Sequence, residues 1–133
     1  MNTTFEAVSR ETESIAADIV DAALKVHKSL GPGLLETVYE ECMVYELCDN
    51  RGLAVGRQVD LPVRYSGQVL QSRLKLDLLV EQSVIVELKA VETMLPLYQA
   101  QLMTYLRLAN LRLGFLINFN VPLIKHGIKR VIL

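Results

Sequence analysis

The sequence predicts an α/β (α+β) fold, a mixed central β-sheet flanked by helices, in the order α-α-β-β-β-α-β-β. Three observations predict it. Apolar residues recur at helical spacing before residue 50, and a Val- and Leu-rich stretch with partial alternation fills the middle. Helical period then returns once, ahead of two final apolar runs. No repeat, low-complexity tract or Pro/Gly/Ser linker interrupts the 133 residues, so one domain over 1–133 is expected.

From Glu13 to about Ser29, Ile15, Ile19, Ala22, Ala23 and Val26 form the apolar face of an amphipathic helix. "SLGPG" (Ser29–Gly33) stops it, because Gly31 suits a C-terminal cap and Pro32 cannot continue the hydrogen-bond ladder. His27, just before this break, reads as structural or capping. A second helix is expected from about Gly33 or Leu34 to Asp49, ending near "DNRG". Cys42 and Cys48 lie six apart in it, a turn of roughly 600°, so they face different ways and share neither a disulfide nor a zinc ion. They read as small buried or half-buried fillers. Residues 53–91 read as a meander of short strands punctuated by Gly56, Pro62 and Gly67. "LPLYQAQLMTYLRLAN" (Leu95–Asn110) is the third helix, with Pro96 suited to its first turn. "RLGFLINF" and "GIKRVIL" supply the last strands.

Composition narrows the class. Hydrophobic residues make up 51% and charged residues 22%, enough to fold without metal or disulfide staples. Apolar runs end well short of the roughly 18 residues that a membrane span needs. The N-terminus "MNTTFEAVSRETESIAADIV" carries acids where a signal peptide carries positive charge, so a cytoplasmic protein with no membrane partner is expected. A net charge of −1 gives no general pull on a polyanion. Nucleic acid would have to be held by basic residues gathered locally, from Arg57, Arg64, Arg73, Lys75, Lys125, Lys129 and Arg130.

The stretch "VIVELKAVE" (Val84–Glu92) sets Glu87 and Lys89 in an apolar strand. Alternation puts both on one side, with Val86 and Leu88 on the other. In "RLKLDLLV", Leu74, Leu76, Leu78 and Val80 are expected on one face and Lys75, Asp77 and Leu79 on the other. Charges at period two usually mark a solvated face. Here Ile85 and Leu79 share those faces, and a charge in a nearly buried strand costs free energy unless it is paired or bound to a metal. The set suits metal-assisted phosphodiester hydrolysis. Asp77 and Glu87 offer hard carboxylates to Mg²⁺, the Leu88 carbonyl can add an oxygen, and Lys89 can orient water or steady negative charge. Such a site demands an odd-numbered turn or a bulge. A three-residue turn Glu81–Ser83 faces Asp77 with Glu87, whereas a two-residue turn Gln82–Ser83 points the acids to opposite faces.

"GPGLLETVYEE", with Gly33, Glu36 and Tyr39 as G-x-x-E-x-x-Y, precedes "LKLDLLVEQSVIVELKAVE", "AQLMTYL" and "LGFLINFNVPLIKHGIKRVI". Together these resemble the GxxExxY protein family of the PD-(D/E)XK nuclease superfamily, over about Asp18 to Leu133. The resemblance implies a restriction-endonuclease-like core. It matches Asp77 to the motif aspartate, Glu87-Leu88-Lys89 to the (D/E)-x-K, and Glu36 to a helix glutamate completing the metal site. Gln101 and Tyr105 resemble a Q-x-x-x-Y element; as i and i+4 they share a helix face. Without the resemblance, Glu36 is better explained by the helix dipole, and Tyr39 can belong to the core. Tyr98-Gln99 stands where many relatives carry a His and an acid, and Lys75 where Arg is more usual.

The implied function is a Mg²⁺-dependent nuclease, Mn²⁺ being a substitute, acting on DNA or, second, RNA. A chain this small is expected to work as a homodimer or with a protein partner. The alternative is a non-catalytic binding or assembly module that keeps the nuclease fold.

Overall fold

The structure is a computed structural model that describes residues 8–133. The extreme N-terminus, Met1–Ala7, weighed above against a signal peptide, lies outside the described residues. Helix α1 (Arg10–Leu30) begins three residues earlier than the pattern suggests, because Ser9 caps it by accepting from the Thr12 N–H. Gly31, at φ 70°, closes its far end through a bond to the His27 carbonyl. Helix α2 (Glu36–Val44) follows the Pro32-Gly33 turn and passes into a six-residue π turn, Tyr45–Asn50. The expected single helix to Asp49 therefore changes winding at Tyr45. Cys42 and Cys48 are free and half-buried.

Strands β1 (Val55–Tyr65), β2 (Gln68–Val80), β3 (Val84–Lys89), β4 (Leu113–Asn118) and β5 (Ile128–Ile132) form one sheet in chain order. Only β3 and β4 are parallel, because helix α3 (Pro96–Ala109) carries the chain between them. The sheet is mixed with helices on both faces, consistent with a restriction-endonuclease-like fold. Helices α1 and α2 and the π turn after them cover one face through Ile19, Ala23, Met43 and Leu47 against Leu78, Val86 and Phe115. Helix α3 covers the other through Leu102 and Leu106 against Leu79, Ile85 and Leu116. Among the described residues no helix is long and apolar enough to cross a membrane.

Two expectations for the first strands change. Gly56 and Pro62 do not end strands; both lie inside β1, the ladder absorbing an irregularity between Pro62 and Arg64. Leu74 and Leu76 do not share a face with Leu78 and Val80: the first two pack with Leu79 and Ile85 under α3, the second two under α1 and α2. The alternation inverts at Asp77, opposite which Gln58 takes φ 51°. Apolarity alone could not show this, since every leucine finds a core on one side or the other.

Asn118, the last residue of β4, and Gly127, just before β5, extend the antiparallel β4–β5 pair, the Asn118 N–H donating to the Gly127 carbonyl at 2.8 Å. A Cβ on Gly127 would lie 2.1 Å from the Asn118 carbonyl oxygen, backbone that cannot swing aside. Gly127→Ala should therefore cost about 1–3 kcal/mol, the usual scale of an overpacked interior, read as a lower urea midpoint with an unchanged slope.

Candidate active site

The β2–β3 turn is the three-residue one. Val80 pairs with Val84, leaving Glu81, Gln82 and Ser83 in the loop, with Glu81 and Gln82 at φ 52° and 53°. Glu81 secures it by bonding Ala54 twice: its N–H donates to the Ala54 carbonyl at 2.7 Å and its carboxylate accepts the Ala54 N–H at 2.5 Å. That register carries Leu78 opposite Val86, and one further step faces Asp77 with Glu87.

At this step the backbone ladder stops and the carboxylates take its place. Glu87 Oε2 accepts the Asp77 N–H at 2.8 Å, and Asp77 Oδ2 accepts the Leu88 N–H at 2.9 Å. Each acid thus holds the other strand's backbone, which fixes both side chains in the fork where the strands part. Since the Leu88 N–H points into the fork, its carbonyl lies along the same strand edge. Glu87 is 6% exposed. Burial first, and then Asp77, push its carboxyl up to about 8 against the opposing pull of the Asp77 N–H and Lys89.

Other elements bring further groups to the fork. Glu36, at the first residue of α2, is half-buried, and burial, Asp77 and Glu40 raise its pKa while Lys89 and the Ala90 N–H draw it down. Burial raises Asp77 as well, opposed chiefly by the Leu88 N–H. Tyr105, on α3, is raised by burial and by the charges of Glu87 and Asp77. Lys89 ends β3 with its Nζ over the Tyr98 ring, 4.5 Å from the centroid. Gln101 lies between Tyr98 and Tyr105 on the same helix face, exposed and without a hydrogen bond to the acids. The fork therefore gathers Glu36, Asp77, Glu87, Lys89 and Tyr105, with Gln101 at its rim.

Several supporting residues escaped the sequence reading. Glu40, one turn after Glu36 and buried, accepts from Arg57 Nε at 2.6 Å and from Gln58 Nε2 at 3.0 Å. Gln58 Nε2 also reaches Asp77 Oδ1 at 3.3 Å. Buried Asn118 holds the chain beyond Lys89, its amide exchanging bonds of 3.1 and 3.0 Å with the Val91 backbone. Only the i, i+4 repeat of Glu36 and Glu40 could have signalled any of them. Tyr39 belongs to the core, stacked on Phe119 at 4.5 Å, and its hydroxyl donates to the Gly31 carbonyl. His27 is structural, bonding the Val121 carbonyl at 2.8 Å. The basic residues divide: Arg57, Arg64, Arg73 and Lys75 lie on β1 and β2, and Lys125, Lys129 and Arg130 at the opposite edge near β5.

An acid on each of two adjoining strands and a lysine two residues after the second form the pattern that names a large group of nucleases. A family model for the PD-(D/E)XK nuclease superfamily matches residues 13–131. The chain belongs to this superfamily. No curated protein and no solved structure matches it. Nucleases of the PD-(D/E)XK superfamily generally use divalent metals, and membership implies a nucleic-acid substrate.

The donors at the fork fit such an ion in kind: three carboxylates and a carbonyl, with no Cys or His, are hard oxygen ligands. Burial first, and then a neighbouring carboxylate (Asp77 beside Glu36 and Glu87, Glu40 beside Asp77), lifts all three carboxyls, and a cation would relieve that crowding of negative charge. Among the described residues no three His, Cys, Asp or Glu side chains stand close enough together to hold an ion.

The raised Glu87 makes stability depend on pH. Folded protein keeps this proton to about pH 8 and unfolded chain only to its ordinary 4.5. Between these values the folded state binds more protons, so stability is full below the lower value and falls as pH rises through the upper. In EDTA, the midpoint of thermal unfolding should drop from pH 5 towards 8, about the window these values set, and Glu87→Gln should flatten that drop.

Proposed function

We propose that the chain is a divalent-metal-dependent nuclease of the GxxExxY kind, cleaving phosphodiester bonds of DNA, and secondarily RNA, in the cytoplasm. The observation that carries this reading is the reciprocal bonding of Asp77 and Glu87 across the fork, with Lys89 two residues on. Asp77, Glu87, Glu36 and the Leu88 carbonyl would hold Mg²⁺, or Mn²⁺ in its place. When bound, the ion supplies Lewis acidity to a phosphoryl oxygen and makes a water more acidic.

The chain's own residues supply the rest. The Asp77 and Leu88 N–H groups keep both carboxylates aimed and pull against the rise in pKa that burial imposes. Lys89, steadied over Tyr98, orients the attacking water and offsets charge growing on the phosphate. Gln101 at the rim is placed to donate to a substrate phosphate, and Tyr105 to back the Glu87 side. A domain this small grips little duplex, which favours work as a homodimer or beside a protein partner.

A non-catalytic binding module is the second reading, favoured by the absence of a closed carboxylate cage among the described residues. Cleavage of single-stranded, duplex and flapped DNA and of RNA in Mn²⁺ separates the two. Wild type should give metal-dependent product, and Lys89→Ala should lose about 100-fold or more, the scale of losing one stabilising charge in a water-poor site. Mn²⁺ should also raise the thermal midpoint of wild type and not of Asp77→Ala. No product on any substrate, or equal product from Lys89→Ala, would favour the binding module.

A further inference from the structure

Strands β1 and β2 outrun the sheet. β3 pairs with β2 only from Leu78 to Val80, so beyond the fork the first two strands continue as a ribbon with no third strand. Every residue from Arg64 to Arg73 is exposed. The tip is a two-residue turn, Ser66 at φ 50° and Gly67 at φ 76°, closing Tyr65 on Gln68; positive φ at both positions suits the twist of a hairpin. Folding alone gives no reason to extend a ribbon this far, since its outer part buries nothing.

Charge on the ribbon has one sign. From Leu61 to Leu76 there is no Asp or Glu, while Arg64, Arg73 and Lys75 are present. Lys75 is taken up by Asp60 at 2.5 Å, with Arg73 in the field of the same acid, and neither Arg64 nor Arg73 makes a salt bridge among the described residues. Their placement is ordered. Gln58 stands opposite Asp77, Asp60 pairs with Lys75 and Pro62 with Arg73. Leu74 and Leu76 turn into the core under α3, so Lys75 and Arg73 project from the other face at steps of about 7 Å from Asp77.

We propose that this face of the ribbon seats the sugar-phosphate backbone of the nucleic acid whose phosphodiester reaches the fork, with Arg64 and Arg73 making the phosphate contacts. This rests on the nuclease reading of the fork. Four acids in and beside the fork (Glu36, Glu40, Asp77 and Glu87) repel a phosphate chain, and apart from Lys89 in the fork itself, Arg64 and Arg73 on the ribbon carry positive charge that no salt bridge takes up among the described residues. Guanidinium groups pair phosphate oxygens two at a time, and a two-stranded ribbon is narrow enough to lie in a groove. A second copy of the chain is the poorer occupant, because a two-fold contact through this face would set Arg against Arg.

The test is binding of the full chain to a labelled DNA duplex and a labelled single strand, by anisotropy across a salt series with Ca²⁺ present. Arg64→Ala/Arg73→Ala should weaken binding about tenfold or more and lower the salt slope by about 2, one step for each lost phosphate contact. Arg64→Lys/Arg73→Lys should keep most of the affinity, and neither pair should shift the thermal midpoint or the oligomeric state. Wild-type affinity and slope in the alanine pair, or a changed oligomeric state with binding intact, would overturn the proposal. The two readings fail separately. Loss of binding in the alanine pair, with no cleavage by wild type, removes the nuclease and leaves the ribbon. Cleavage with unchanged KM in the alanine pair removes the ribbon and leaves the nuclease.

Discussion

Everything at the site depends on two side chains doing what backbone carbonyls do elsewhere in the sheet. Where β2 and β3 part, Glu87 takes the Asp77 N–H and Asp77 takes the Leu88 N–H. The bonds close the end of the ladder, so no buried amide is orphaned, and they pin both carboxylates with little rotamer freedom. The same fixity makes the pair costly. Two acids, one nearly sealed, stand side by side with a third close by, and burial first, then neighbouring carboxylates, make both hold their protons more tightly. A site that pays this charge repulsion when empty is one that gains when a cation enters.

The fork is steadied from three directions by contacts that do not touch it. Tyr39 ties the turn before α2 by donating to the Gly31 carbonyl and accepting the Leu34 N–H, which sets where Glu36 begins its helix. Its ring lies flat on Phe119, and the Phe119 N–H donates to the Lys89 carbonyl at 3.0 Å. Asn118 locks the next turn of chain at Val91. Helix position, strand end and lysine are thus linked through one stacked pair. On the α3 side, Tyr98 gives the lysine head an aromatic face and leaves its charge intact, a contact that a histidine at this position would make less well when protonated.

The strand that carries Glu87 and Lys89 could be read from residues because its chemistry conflicts with its setting: two charges among Val84, Ile85, Val86 and Leu88 call for partners. The helices were legible for a different reason, since their apolar spacing and the stops at Gly31 and Pro96 are local. Pro62 misled because an edge strand tolerates a missing donor, and β1 is the edge of this sheet. The inversion at Asp77 was hidden because leucines on both sides of it are buried. Gln58 carried no local signal and Glu40 only its i, i+4 spacing from Glu36; their roles come from meeting Arg57 and Asp77 across different elements.

By itself the sequence determined the element order, the odd-numbered turn that two facing acids demand, and the setting of two charges in a strand too apolar to leave them unpartnered. These follow from periodicity, caps and the cost of burying charge, all of which act over a few residues. Tertiary structure alone decided that the ladder opens at Asp77, that Glu36 and Tyr105 arrive from opposite layers, and that the basic residues split between two edges of the sheet. Those outcomes depend on how strands and helices meet in space. Residues far apart in the chain become neighbours only once the sheet has set which edge and which face each one occupies.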